Sequence, residues 1–248
     1  MSLTAQEFIR YNRHIMVDKI GEKGQLKLKR SRVLIIGMGG LGCPSAQYLA
    51  ASGIGSLTII DNDIVELSNL QRQILYSDDD LGSVKVRSAK SSLQAINPHC
   101  QINTINESVF DVDLPVLLDE VDVVLDCTDN PKTRLFINQS CVDAGVFLVS
   151  ASAIQGAGQL VSFDFSVPNS PCYQCIFPES AEEVMNCSTS GVLSPLLGVM
   201  GSLQATEAIR IILGMSNNLN KLTLFDAWSM ETRSFKVVKS PTCSVCGQ

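Results

Sequence analysis

The stretch VLIIGMGGLG, residues 33–42, decides the fold. Four branched apolar side chains in a row, Val33 to Ile36, read as a strand buried on both faces, as in a parallel sheet. Gly37-Met38-Gly39-Gly40-Leu41-Gly42 then fits G-x-G-x-x-G, with an additional glycine at position 40. Glycines let the backbone approach a phosphate, and the helix expected over 41–52 would turn its N-terminus toward that negative charge. The next strand, LTIID (57–61), ends in Asp61, 19 residues after Gly42. A carboxylate there can accept hydrogen bonds from both hydroxyls of a ribose. Together these residues predict an adenosine nucleotide site. The competing reading is a glycine turn needed only for helix–sheet packing.

Working outward, the alternation continues. A helix fits 84–96, stopped by Asn97-Pro98, and strands fit 101–106, 121–127 and 146–152 with a helix at 132–143. Strand, helix, strand repeated in this way implies a doubly wound parallel sheet. After residue 155 the pattern changes: GQLVSFDF, LTLFDA and ETRSFKVV alternate as antiparallel strands do. A long apolar helix at 191–213 lies among them, and its Gly198, Gly201, Ser202 and Ala205 would permit close packing. At the other end Thr4 and Glu7 form a capping box, and Phe8, Ile9 and Ile15 supply an apolar face. The expectation is a single α/β domain over 1–248, Rossmann-like and doubly wound, with a mixed sheet. Residues 1–30 form a helical segment, 31–155 the nucleotide-binding part, and 156–248 the antiparallel strands, a crossover loop and a metal site.

The 248 residues are 45% hydrophobic and 18% charged, enough for a sizeable core. A net charge of −6 weighs against general nucleic-acid binding, which needs a basic face. No apolar run reaches the ~18 to 20 residues that span a bilayer. The opening MSLTAQEFIRYNRHIM lacks the apolar core of a signal peptide, so the expected location is the cytoplasm.

The glycine loop alone does not choose between NAD and ATP. Asp61-Asn62-Asp63 leads into Ser68-Asn69-Leu70-Gln71-Arg72-Gln73, and Lys85 follows. A triphosphate gives that cluster a purpose, since its charge calls for a guanidinium, an ammonium and amide donors. Otherwise Arg72 and Lys85 belong to a solvated helix face. Asp126-Cys127-Thr128-Asp129-Asn130 ends the fourth strand, where open α/β sheets hold their ligands. Asp129 can hold magnesium between phosphate oxygens, or the Thr-Asp-Asn run can simply cap the helix that Pro131 opens. Asp126 can share the metal or brace the turn. The nucleotide-binding candidates are therefore Gly37, Gly39, Gly40, Gly42, Asp61, Asp63, Ser68, Asn69, Leu70, Gln71, Arg72, Lys85, Asp129 and Asn130.

Nine cysteines in a reducing compartment are to be read for metal or catalysis rather than disulfides. Cys172-Tyr173-Gln174-Cys175 and Cys243-Ser244-Val245-Cys246 are two CxxC pairs. Each can clasp one side of a tetrahedral zinc; a redox CxxC and plain reduced pairs are the alternatives. Cys187 lies in EEVMNCST just before the long helix, where a thiol can be nucleophilic. Cys43, Cys100, Cys127 and Cys141 read as packed small hydrophobes, and His14 as structural.

RYNRHI (10–15), GMGGLG (37–42), LSNLQRQ (67–73), Lys85, DCTDN (126–130) and the paired CxxC motifs together resemble the ThiF/MoeB family, the prokaryotic relatives of ubiquitin-activating enzymes. The resemblance implies an ATP- and magnesium-dependent adenylyltransferase. Such an enzyme joins AMP to the C-terminal glycine of a ubiquitin-like sulfur carrier, ThiS-like or MoaD-like, and releases pyrophosphate. It implies that Gly40 and Asp61 contact the nucleotide, that Asn69, Arg72 and Lys85 hold phosphates, and that Asp129 positions magnesium. It further implies a homodimer with Arg13 reaching into the partner's site, a structural Zn2+ on Cys172, Cys175, Cys243 and Cys246, and a loop cysteine, Cys187, that links covalently to the carrier in thiamin-type members. The catalytic set so implied is Arg13, Arg72, Lys85, Asp129 and Cys187. SASAIQGAGQL and NCSTSGV look thiamin-type, whereas INPH and CSVCGQ look molybdopterin-type. An NAD-dependent dehydrogenase and a non-catalytic nucleotide- or carrier-binding module are the alternatives.

Overall fold

The computed structural model describes residues 2–178, 190–215 and 217–247. Eight strands form one sheet in the order β3-β2-β1-β4-β5-β6-β7-β8. Here β1 is Arg32–Ile36, β2 Ser56–Ile60, β3 Gln101–Ile105, β4 Val123–Asp126 and β5 Phe147–Ile154. These five pair in parallel. β6 (Ala157–Phe163), β7 (Lys221–Asp226) and β8 (Glu231–Lys236) continue the sheet antiparallel. The α/β class and the mixed sheet are as the sequence predicts. The strand order reverses between β1 and β4, and open α/β sheets leave a crevice outside the carboxyl ends of such strands.

The parallel strands carry Val, Leu and Ile on both sides because helices cover both faces. On one face lie α3 (Gly21–Arg30), α4 (Gly42–Ala51), α5 (Lys85–Ile96) and the long α9 (Ser194–Ile212), around Leu34's neighbours Val33 and Ile35. On the other face α6 (Leu114–Leu118), α7 (Pro131–Ala144) and the single turn α8 (Tyr173–Ile176) pack on Leu34, Ile36 and Val124. β8 is the final strand, and all six of its residues are exposed.

α9 is the strut of the first face. A Cβ on its Gly201 would fall 2.6 Å from the Leu41 carbonyl oxygen and 2.5 Å from Pro44 Cγ, so the close approach to α4 needs glycine there. Gly198 faces open space, and the Ser202 hydroxyl donates to the Gly198 carbonyl, so these two do not serve the packing expected of them. Gln204 is wholly buried, and its Nε2 donates to the carbonyls of Asp126 at 2.9 Å and Val149 at 3.3 Å. Its Oε1 accepts from the Cys127 thiol at 3.4 Å. One amide thus ties the long helix to the end of β4 and the interior of β5.

Two expectations change. The long helix starts at Ser194 rather than 191, because Val192 bridges Gln155 and the Leu193 amide donates to the Gln155 carbonyl. The KLKR run closes α3, inside the helical segment expected over 1–30, and the inner side of that helix is Gly24, Gln25 and Leu28. At the N-terminus the Thr4/Glu7 capping box opens α1 (Ala5–Arg10), which breaks at Tyr11 before α2 (Asn12–Ile15). There Phe8 and Ile9 stay exposed while Glu7 and Tyr11 turn inward. Glu7 meets Lys29 Nζ at 2.7 Å, and the Tyr11 hydroxyl accepts from Asn97 Nδ2 at 2.8 Å. Polar anchors, not the apolar residues, hold this segment to the domain. The His14 ring pairs with Gln25 at 2.9 Å, and Cys43, Cys100, Cys127 and Cys141 are buried in the cores.

Replacing Gln204 with methionine, of similar volume, removes the side-chain donor to the Asp126 and Val149 carbonyls and the acceptor of the Cys127 thiol. The expected cost is about 2 kcal/mol, read as a lower urea midpoint with an unchanged denaturant slope.

Candidate functional site

Gly37 leaves β1 with φ +94°, and a Cβ on it would meet the Cys127 carbonyl oxygen at 2.9 Å. The chain then passes over Gly39 and Gly40 into α4. Among the described residues nothing accepts the amides of Gly39 or Gly40. The turn is fixed from two sides. Asp61, at the end of β2, accepts the Met38 amide at 2.7 Å through one oxygen and the Asp63 amide at 2.9 Å through the other. Tyr76 donates its hydroxyl to the Met38 carbonyl at 2.8 Å. Burial pushes the Asp61 carboxyl above its ordinary range, while Lys85 and the two amides pull it back.

This turn floors a cavity of about 830 Å³. Of the residues expected at a nucleotide, Gly37, Gly39, Gly40, Asp61, Asp63, Asn69, Arg72, Lys85, Asp129 and Asn130 all line it. The Lys85 side chain is nearly buried, and its Nζ donates to Asp63 at 2.8 Å. The Arg72 guanidinium is tethered to the Ser68 carbonyl at 2.8 Å. Asp129 is exposed and makes no side-chain hydrogen bond among the described residues. Asn130 caps α7, accepting the Lys132 amide at 2.9 Å and the Thr133 amide at 3.3 Å.

Four expected nucleotide ligands stand outside the cavity lining. A Cβ on Gly42 would lie 2.0 Å from the Gly37 carbonyl oxygen, so that glycine serves the loop's own packing. The Ser68 hydroxyl donates to Glu66 at 3.2 Å. Leu70 packs against the core. The side chain of Gln71 is solvated, and its carbonyl accepts from the Ser194 hydroxyl. Arg13, exposed on α2 with its guanidinium 3.9 Å from the Met16 sulfur, does not line its own chain's cavity. Cys187 lies outside the described residues.

The cavity also has walls that the sequence reading passed over: Gln73, Lys132, Arg134, Gln159 and Tyr173. Gln73 is the most informative, because its buried Oε1 has no partner among the described residues and a Cβ on Gly39 would sit 3.7 Å from its Nε2. Its position four residues after Asn69 puts both on one side of the turn-rich segment. Arg134 is buried on α7. Its guanidinium donates to Ser150 Oγ at 2.9 Å and to the carbonyls of Ala151, at 2.7 Å, and Thr128. It faces Asp126 at 3.4 Å. Asp126 also accepts from Ser150 Oγ at 2.7 Å and Thr128 Oγ1 at 2.7 Å. So occupied, Asp126 braces the turn and leaves Asp129 as the free carboxylate.

The second cluster is formed by Cys172, Cys175, Cys243 and Cys246, whose sulfurs all lie within 4.8 Å of one another. Cys175 and Cys246 stand 3.3 Å apart and Cys172 and Cys243 3.7 Å apart. A disulfide needs ~2.05 Å, whereas thiolates ~2.3 Å from a tetrahedral ion stand about 3.8 Å apart. The donor set therefore fits a metal ion. The Ser240 amide donates to the Cys175 sulfur at 3.4 Å. Burial pushes the Cys172 thiol up to about 11. At Cys243 the burial penalty is outweighed by the Cys246 and Val245 amides, which hold that thiol at about 7.

Arg134→Met is expected to cost about 3 kcal/mol or more, because it strands the Asp126 carboxylate in the interior. Chemical denaturation of the purified variant checks this.

The chain was compared with known proteins. It is 46% identical over 247 residues to the molybdopterin-synthase adenylyltransferase of Escherichia coli (strain K12), covering 99% of both chains. It is 43% identical over 243 residues to the sulfur carrier protein ThiS adenylyltransferase of the same organism, covering 98% of this chain and 96% of the relative. The crystal structure of E. coli MccB with ATP superposes with a TM-score of 0.80 at 28% identity, over 96% of this chain and 74% of that one. The ThiF family model matches residues 11–245, and the chain belongs to the ThiF family.

Proposed function

We propose that this protein is an ATP-dependent adenylyltransferase acting on the C-terminal glycine carboxylate of a ubiquitin-like sulfur-carrier protein, ThiS-like or MoaD-like. One observation carries the reading: a single cavity gathers the glycine turn, the Asp61 carboxylate, the cations Arg72 and Lys85, and Asp129, an acid with no side-chain partner among the described residues. The relatives named for molybdopterin synthase and for ThiS support it.

In this reading Asp61 receives the ribose and the amides of Gly39 and Gly40 face the phosphates. Arg72 and Lys85 hold the phosphate chain, with Asn69 as an amide donor. The carrier's carboxylate attacks the α-phosphorus, a carboxylate–phosphate bond forms, and the bond to the β-phosphate breaks with pyrophosphate leaving. A carboxylate is ionised at neutral pH, so no general base is needed. Negative charge grows on the phosphate oxygens, and preorganised cations in a partly closed cavity stabilise it. Lys85 starts paired to Asp63 at 2.8 Å, which keeps its ammonium aimed at the cavity before nucleotide arrives. Asp129 would hold a magnesium ion, which supplies further neutralisation of phosphate charge. Cys172, Cys175, Cys243 and Cys246 would hold a zinc ion, structural because four thiolates leave no open position. Arg13 completes the site of a second copy in a homodimer. No helix among the described residues is long and apolar enough to cross a membrane, which agrees with a cytoplasmic enzyme.

Arg72→Ala and Lys85→Ala should each lower carrier-dependent exchange of pyrophosphate into ATP by about a hundredfold or more with the fold intact. Wild-type exchange in either folded variant would overturn the reading. Offering both carrier types with ATP identifies which becomes adenylated. Protein purified without chelator should contain one zinc per chain by elemental analysis, and Cys246→Ser should lose it.

A further inference from the structure

The nucleotide cavity and the four-cysteine cluster share one turn of helix. α8 follows Cys172 and contains Cys175, so two of the four thiols flank or sit on it. Tyr173 on the same turn, and Phe177 and Pro178 just after it, line the cavity. The rings of Tyr173 and Phe177 stand 4.8 Å apart. α8 is only four residues long, and its Tyr173 and Ile176 pack on the core beside α7.

Asn138 fastens it from α7. The side chain is wholly buried, and Oδ1 accepts the Tyr173 amide at 2.9 Å. The other end of the amide faces the Cys172 thiol. Its Nδ2 has no acceptor among the described residues. A buried donor without an acceptor is costly, and a metal-bound thiolate on Cys172 is the acceptor its position calls for. One helical turn back, Arg134 lies beside the Tyr173 phenol and donates to the Thr128 carbonyl, next to Asp129. Packed polar contacts therefore run from a cluster sulfur to the loop that carries the free acid.

We propose that the metal site positions the Tyr173–Phe177–Pro178 wall of the nucleotide cavity, with Asn138 as the positioning residue that donates to the metal-bound Cys172 thiolate while accepting the Tyr173 amide. The inference rests on the cavity taking magnesium-ATP and the thiols taking zinc. Outer partners of a metal ligand are worth roughly 10- to 100-fold in metal affinity. Coupling between two binding sites is reciprocal. Zinc must then strengthen nucleotide binding, and nucleotide must strengthen zinc retention by the same factor.

The first test uses the unaltered zinc-loaded protein, titrated with a chromogenic chelator with and without saturating magnesium-ATP. Several-fold tighter zinc retention in the presence of nucleotide is expected. Equal retention overturns the proposal. The second uses Asn138→Asp, which keeps the acceptor for Tyr173 but removes the donor to Cys172. Zinc affinity should fall about 10-fold or more. The KM for ATP should rise several-fold with kcat little changed, and added zinc should bring KM back, which a general packing defect would not permit. Weakened zinc with an unchanged KM, or unchanged zinc affinity, overturns the assignment. If this variant does not fold, the chelator titration of the unaltered protein decides alone. Unaltered protein that binds no magnesium-ATP overturns the adenylyltransferase reading and this inference with it. Protein that binds nucleotide without the zinc linkage overturns only the inference.

Discussion

The site depends on a single carboxylate that belongs to two elements at once. Asp61 ends β2, yet both of its oxygens accept backbone amides, from Met38 in the glycine turn and from Asp63 beyond the strand. The turn cannot relax away from it, because Gly37 is pressed against Cys127 and Gly42 against the Gly37 carbonyl. The amides of Gly39 and Gly40 are consequently held open toward the cavity rather than consumed by the turn. This is preorganisation in the plain sense: donors are fixed in place before any charge arrives. The cost is carried by Asp61 itself, a partly buried carboxylate that Lys85 and two amides keep serviceable.

A second constraint joins the parallel and antiparallel halves. The end of β4 lies beside the interior of β5 under the cavity, where Asp126, Ser150 and Arg134 satisfy each other from one face of the sheet and Gln204 reaches in from the other. Buried polar networks are favourable only when every member is satisfied. Here the arrangement releases Asp129: its neighbour Asp126 is fully engaged, so the exposed acid is the one with lone pairs to spare. Two carboxylates three residues apart thus take different duties because of what surrounds them.

Much of this was legible in the residues. The Val33–Ile36 run, the glycine turn and Asp61 foretold a strand, a turn and an acid at the end of the neighbouring strand, as the structure has them. The paired CxxC motifs brought four sulfurs together despite the 68-residue gap from Cys175 to Cys243. What escaped notice has physical reasons. Gln73 and Arg134 are polar residues whose importance lies in burial, and burial is a tertiary property. Gln159 sits in an alternating strand, where a polar residue ordinarily means solvent, but that face of β6 borders the cavity. Leu70 and Gln71 were drawn in by their motif neighbours, although a tight turn sends consecutive side chains in different directions. The exposed Phe8 and Ile9 show the converse: an apolar pattern names a face to be covered without naming what covers it.

The exposed last strand, β8, has a consequence for solubility. Among the described residues β8 pairs only with β7, and an edge strand with exposed faces is a template on which a further chain can hydrogen-bond. Glu231, Arg233 and Lys236 stand along it, and Arg233 and Glu231 form a solvated ion pair at 2.8 Å. Any strand added there would have to strip water from those charges, a desolvation penalty that guards the rim of the sheet against runaway polymerisation while leaving it open to solvent.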